Sequence, residues 1–494
     1  MKLSRVFPTM LLLLFAGCSA PAGRLTFPTH ALETSDRGWF FDTHNRGRAD
    51  FALLRDAHGR LETLAYDDAG DGHFNRLYHL HDYANGDVPH LIIMLDSIPF
   101  ESMAASYRRG QFPWMDAPVK VIGPFPSLTE ICYSSFLHAP PLPGVVDNYY
   151  DRDAKAPADT MWDRLLHSYK EPWERRLDYT MSMYQSGLAY LHPREWYDAE
   201  LQLAKQTFDD SPNRVTLVYF ASASSMLSKY GHAGLDEVLA GVRRLCLQVL
   251  YERQGAVKIT MLADHGHNLM ASTNVTLDPW LNAAGFHASD RLDKPNDVVL
   301  ELQGLVTYVG VRTNQPAKVS AALCACPRVD LAAYLDGDRV IVRNAQGSAA
   351  IDCRDHKLRY VPIDADVLRY AKVLEQLRTA GKVDGDGYLS DADWFAATLD
   401  AAYPDGARRL WDGFHGTVTH PPEVMLTMKD GWCAGRPAFE KFIKMASTHG
   451  SLNQVNTATF VMTMTGRADG PMRIHDVLQK IEPGYEPVVH QAGR

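Results

Sequence analysis

Residues 257–270 read VKITMLADHGHNLM. The apolar run VKITML (257–262) has the length and composition of a buried strand, and it ends in Asp264, His265, Gly266 and His267. A strand covered on both faces has no packing use for an acid and two imidazoles at its end. These are the residue types that hold metal ions. Two further runs have the same character: HLIIMLD (90–96), ending in Asp96, and VTLVYF (215–220). Helical stretches separate them. In GLDEVLAGVRRLCLQVLYERQG (234–255), apolar residues recur at three- and four-residue spacing and Gly255 marks the stop. Strands alternating with helices predict an α/β fold, a mainly parallel sheet covered by helices on both faces. ATFVMTM (458–464) supplies a last core strand. A strand-rich stretch at 298–362 and a helical one at 365–415 predict an inserted α+β cap, about 298–415.

The chain has 494 residues, 46% hydrophobic and 22% charged, with a net charge of −9. That balance is ordinary for a globular protein and argues against a nucleic-acid polymer as partner, which calls for a basic face. It leaves room for a small anionic substrate held through metal ions. The N-terminus, MKLSRVFPTMLLLLFAGCSA, places Lys2 and Arg5 before a short apolar run, the pattern of a secretory signal too short to span a bilayer. Its LFAGC resembles a bacterial lipoprotein box, which implies a signal peptide over 1–18 and a lipid on Cys18. Ser19 rather than Asp follows, so the resemblance implies outer-membrane anchoring of an exported, periplasm-facing protein. The alternative is a plain cleaved signal. A tether and a small β-hairpin unit fill 19–87, and the main domain runs over 88–490.

In a parallel α/β sheet, ligands bind beyond the carboxyl ends of the strands. Asp96 and Asp264–His265 sit there. GPFPSLTEICYSS (123–135) is a Pro-rich turn feeding a helix, with Ser127 and Thr129 at the junction. A hydroxyl at a helix start beside a metal is a candidate nucleophile, because metal and helix N-terminus both favour its anion. KYGHAG (229–234) adds His232 and STHGSL (447–452) adds His449. Each signal alone is weak, since a strand-end His is commonly structural and Asp-Ser after a strand is commonly a helix cap. Their conjunction at element junctions carries the argument.

LIIMLDSIP, FPSLT, GHAG, ADHG and THGSL, in that order over roughly 88–466, resemble the motifs of the alkaline phosphatase superfamily, nearest its nucleotide pyrophosphatase/phosphodiesterase branch. The resemblance implies a metal-dependent phosphohydrolase or phosphodiesterase with Thr129 as nucleophile and a covalent phospho-threonine. It implies two zinc ions: one held by Asp96, Thr129, Asp264 and His265, the other by His232 and His449 with one more carboxylate. Here the chain departs from the pattern. The family's Asp four residues before the GHAG histidine is Ser228, and no acid lies between Val215 and His232. Asp236, one turn after His232, is not an obvious substitute, and Glu130 beside Thr129 would repel a phosphate unless paired. The departure motivates a second reading, a family relative that keeps the fold and a metal but serves as a binding or scaffold lipoprotein. A sulfatase fits poorly, because no Cys or Ser followed by Pro and Arg lies near Thr129. His267 reads as a helix cap or a hydrogen-bond partner of Asp264.

Other features leave alternatives open. DTHNRGRAD (42–50) and DDAGDGHFN (67–75) repeat an Asp-to-Gly-to-Asp/Asn spacing that fits either Ca²⁺ ligands or polar turns. KVDGDGYLSDAD (382–393) resembles an EF-hand loop with Lys382 in the first ligand position, so a polar turn between helices is the simpler reading. Six cysteines follow Cys18, and their pairing cannot be read from spacing. Tyr149, Tyr150 and Trp162 follow the Thr129 turn as pocket candidates or as core.

Overall fold

The computed structural model describes residues 24–83, 86–145, 148–154, 156–159, 170–302, 304–436 and 444–490. The signal region with Cys18, and Trp162, lie outside the described residues. The apolar runs form β1 (His90–Leu95), β3 (Val215–Phe220), β4 (Lys258–Ala263) and β5 (Ala458–Thr463), every residue of them buried. Two short strands not evident in the sequence, β2 (Val119–Ile122) and β6 (Met472–Arg473), complete a six-stranded sheet in the order β3-β1-β4-β5-β2-β6. Parallel pairing joins β3 to β1, β1 to β4 and β2 to β6, while β5 runs antiparallel to both neighbours. Helical crossovers link β1, β3 and β4, which is how parallel neighbours must be connected. Five strands thus run one way and β5 the other, so the sheet is mainly parallel.

Side chains alternate across this sheet. Leu91, Ile93 and Leu95 of β1 pack with α1 (Phe100–Arg108), α4 (Pro193–Asp210) and α6 (His232–Glu252). Ile92 and Met94 face the other way, toward α2 (Thr129–Phe136), α7 (Gly406–Phe414), α8 (Ile474–Ile481) and the cap. Two shorter helices, α3 (Met183–Ala189) and α5 (Ser222–Tyr230), flank α4. The cap is an eight-stranded, largely antiparallel sheet drawing its strands from 287–428, with helices at 371–379, 391–398 and 406–414. Its Leu331, Val340, Ile351 and Tyr360 share one core with Met94 and Tyr133, so it is not a separate lobe.

The N-terminal unit is larger than the expected hairpin: five antiparallel strands between Glu33 and His79. Phe41, Phe51 and Tyr66 seat it on α6, with the Phe51 ring centroid 5.1 Å from that of Tyr251. In its acidic turns, Asp42 accepts from the amides of Arg46 and Gly47 at 2.9 and 2.6 Å, and Asp67 from those of Gly70 and Gly72 at 2.6 and 2.8 Å. These are polar turns whose carboxylates close the backbone on itself. At 384–393, Asp384 accepts from the amides of Asp386 and Tyr388, and Ser390 caps the helix Asp391–Thr398. Cys132, Cys246, Cys324, Cys326 and Cys353 are free thiols.

A buried polar lock ties the C-terminal helix to the sheet. Glu482, just past α8, accepts from His90 Nδ1 at 2.6 Å and from Arg214 at 2.8 Å, while His90 Nε2 lies 2.8 Å from Thr260 Oγ1. Burial holds the His90 imidazole below its ordinary pKa, so it serves as a neutral donor. Burial also pushes Glu482 upward, but the His90 and Arg214 hydrogen bonds outweigh it and bring the carboxyl to about 2. A depressed carboxyl stabilises the fold above its unfolded pKa and loses that contribution as pH falls toward the folded one. Glu482→Gln is expected to destabilise the chain by on the order of 2 kcal/mol at pH 7 and progressively less toward pH 2–3, measured by urea denaturation. An equal loss at both pH values would contradict the charged lock.

Candidate metal centre

The register of two parallel neighbours builds the centre. Leu95 of β1 pairs with Ala263 of β4, so Asp96 and Asp264 leave the sheet side by side at its carboxyl edge. Ser97 then joins them. Its Oγ donates to Asp96 Oδ1 at 2.6 Å and its amide to Asp264 Oδ1 at 2.9 Å. It adopts φ 68°, a left-handed conformation that costs a non-glycine residue roughly 1–2 kcal/mol. Such strain is tolerated where the surroundings over-determine it, commonly at functional sites. Tyr219 of β3 donates to Asp96 Oδ2 at 2.7 Å.

Asp264 Oδ2, fully buried, has no hydrogen-bond partner. Opposite it, 3.3 Å away, is His265 Nε2. The other ring nitrogen, Nδ1, lies 2.9 Å from the Gly266 carbonyl oxygen, which can only accept. Nδ1 therefore carries the hydrogen and Nε2 is a lone pair, to which the Thr129 hydroxyl 3.4 Å away can donate. Two lone pairs facing each other in a buried site repel unless a proton or a metal cation lies between them. Asp96, Asp264 and His265 each offer a ligand atom within 4.8 Å of the others, the one such group among the described residues. Two carboxylates and an imidazole suit Zn²⁺. Burial, with Asp264 as neighbour, pushes Asp96 up to about 7, and burial pushes Asp264 to about 7 against the Ser97 amide, the nearby Thr129 hydroxyl and the His265 amide. His265 is held below its ordinary pKa by burial, ready to ligate as a neutral ring.

Thr129 begins α2, half-buried, with Oγ1 3.4 Å from His265 Nε2. The loop before it is tied down. Arg409, 3% exposed, donates to the Pro124 carbonyl at 3.1 Å and to Ser127 Oγ at 2.9 Å, and reaches the Leu452 carbonyl at 3.0 Å. Tyr133 of α2 donates to the Leu95 carbonyl at 2.6 Å, fixing the helix to the end of β1. The cap helix α7 thus helps aim the Thr129 turn.

His449 stacks on His265, centroids 4.3 Å apart at 21°, with Nδ1 3.3 Å from the Ser127 carbonyl oxygen. Neither His449 nor His232 joins the group of three. His232 opens α6 and is exposed, as is Asp236 one turn on. His267 corrects an expectation: it neither caps a helix nor bonds Asp264. It is buried, both its ring nitrogens lack a hydrogen-bond partner, and its ring lies 5.4 Å from that of His449. Where the resembled motif would place an acid stands Ser228, buried, with Tyr190 as a polar neighbour. Tyr150 accepts from the Leu292 amide and is buried, and Tyr149 stacks on His420 at 4.4 Å, so neither lines the centre.

Sequence reasoning missed Ser97, Tyr190, Tyr219 and Arg409. Only Ser97, directly after a strand-end acid, carried any sequence signal. The glycine between the two histidines now has its reason. A Cβ on Gly266 would sit 2.1 Å from the Val455 carbonyl oxygen and 3.1 Å from that of Ala458.

No family model matches the sequence, and no curated protein matches it. Among solved structures, the chain aligns with human ectonucleotide pyrophosphatase/phosphodiesterase 5, covering 79% of this chain and 92% of that one, at 10% identity and a TM-score of 0.42. The chemistry must therefore be read from the side chains themselves. Gly266→Ala is expected to lower stability by about 2–4 kcal/mol, because the obstruction is backbone that cannot step aside. Thermal melts of the metal-free chain check this, and an unchanged midpoint would mean the DHGH turn is not packed as described.

Proposed function

We propose that this chain is a metal-dependent phosphoric ester hydrolase of the phosphodiesterase/phosphatase type, related to the alkaline phosphatase superfamily, with Thr129 as its nucleophile. The observation that carries this reading is the buried, unpartnered Asp264 Oδ2 facing the lone pair of His265 Nε2, with the Thr129 hydroxyl 3.4 Å from that nitrogen. Asp96, Asp264 and His265 would hold a Zn²⁺, with Thr129 beside it. A bound ion would supply Lewis acidity to the threonine hydroxyl and to a phosphoryl oxygen. The chain's own contribution is placement. Ser97 and Tyr219 hold the carboxylates, and Arg409 and Tyr133 aim the Thr129 turn. The start of α2 directs amides toward developing negative charge. Thr129 Oγ bonds to phosphorus as the P–O bond to the alcohol breaks, and the threonyl proton ends on the departing alcohol. Water then displaces the threonine from the phosphoryl group, returning the hydroxyl and releasing phosphate or a monoester.

A second zinc near His449 and His232 would need a donor beyond Ser228, and His232 is exposed. That observation favours a second reading, a metal-holding binding or scaffold protein without turnover. In either reading the chain is exported and anchored to the outer membrane through a lipid on Cys18. Phosphorus-31 detection of ester hydrolysis by the zinc-loaded chain, with a metal count, separates them. At least one zinc per chain, turnover reduced 100-fold or more by Thr129→Ala, and zinc lost in Asp264→Asn are expected. Turnover untouched by Thr129→Ala would overturn the nucleophile, and zinc without turnover would favour the scaffold.

A further inference from the structure

A cavity of about 150 Å³ opens beside the centre. Leu305, Val306 and Met445 form its apolar wall, and Tyr190, Ser228 and His449 its polar side. No Asp, Glu, Lys or Arg lines it among the described residues. Two independent chains of contact connect it to the reacting groups. His449 stacks on His265, whose Nε2 lies 3.4 Å from Thr129 Oγ1. Tyr190 neighbours Ser224, whose Oγ lies 3.5 Å from that of Ser97, the donor to Asp96.

Size and polarity together limit what this cavity accepts. An apolar space of ~150 Å³ holds one benzene-sized molecule, whereas pockets for larger ligands run from about 300 Å³ upward. Among the described residues a charged group would find no partner of opposite charge in it and would lose hydration without compensation. We propose that the cavity seats the alcohol side of the ester, and that the substrate class is phosphate esters of a single-ring aryl or short alkyl alcohol rather than nucleotides. This rests on the hydrolase reading above. Tyr190 and Ser228, hydroxyl groups of its lining, are assigned to the bridging oxygen, and the Leu305–Val306–Met445 wall to the group beyond it.

The test uses the full zinc-loaded chain and two readouts. Phosphate release from phenyl phosphate is expected to show kcat/KM at least 10-fold above that from adenosine 5′-phosphate. Calorimetry is expected to show phenylphosphonate binding at least 10-fold tighter than methylphosphonate. Met445→Trp, at a half-buried position of the cavity wall, is expected to reduce that phenyl-to-methyl affinity ratio at least 10-fold by filling the space. Equal turnover of the nucleotide and phenyl phosphate, both abolished by Thr129→Ala, would overturn the specificity while sparing the hydrolase reading. Absence of all turnover would remove the hydrolase reading, and the affinity ratio would still decide the pocket. A ratio near one, or one unmoved by Met445→Trp, would overturn it.

Discussion

Two carboxylates buried side by side are the constraint on which the rest of this structure turns. Like charges within 4.8 Å, even at an effective dielectric constant near 20, repel by about 3–4 kcal/mol, and each also forfeits its hydration. Asp96 and Asp264 cannot both stay ionised there unaided, and their raised pKa values express that. A proton or a cation must share the site. His265 Nε2, across from Asp264 Oδ2, adds a third donor atom to the two carboxylates, and the three together make a ligand set for a cation.

The fold meets this constraint by holding the donors rather than by neutralising them. Among the described residues, no lysine or arginine pairs with either acid. Hydroxyls and amides do, from Ser97 and Tyr219, and these leave the negative charge in place for an ion. The basic residue nearest the machinery in role, Arg409, is spent on carbonyls and Ser127 in the turn before Thr129. Loop and cap are thereby fixed relative to the strand ends, and the hydroxyl is set against the imidazole without a direct charge. Gly266 permits the close approach of the 455–458 backbone that packs the DHGH turn.

Much of this was legible because packing and chemistry disagree at strand ends. An apolar run that stops in Asp, or in Asp-His, breaks the pattern a buried strand demands, so Asp96, Asp264 and His265 stood out, as did Thr129 at a Pro-rich helix start. The parallel arrangement of β1, β3 and β4 followed from the same runs. What stayed hidden lacked such a break. Tyr219 sits inside a buried strand as one more large side chain, Arg409 lies in an amphipathic helix of the cap nearly 300 residues from the loop it holds, and β2 and β6 are too short to declare a period. His232 reads as a ligand from its Gly-flanked motif yet lies exposed at the start of α6, because a motif fixes neighbours along the chain and not the direction of a side chain. His267 was visible as a second imidazole, but only burial without a partner marks it as unusual.

The most direct measurement is crystallographic: anomalous diffraction on either side of the zinc absorption edge, from crystals of the full chain grown with Zn²⁺. The account predicts a peak about 2.0–2.2 Å from donor atoms of Asp96, Asp264 and His265, with the Thr129 hydroxyl adjoining it. Zinc found elsewhere in the crystal, with those three side chains bare, would contradict it.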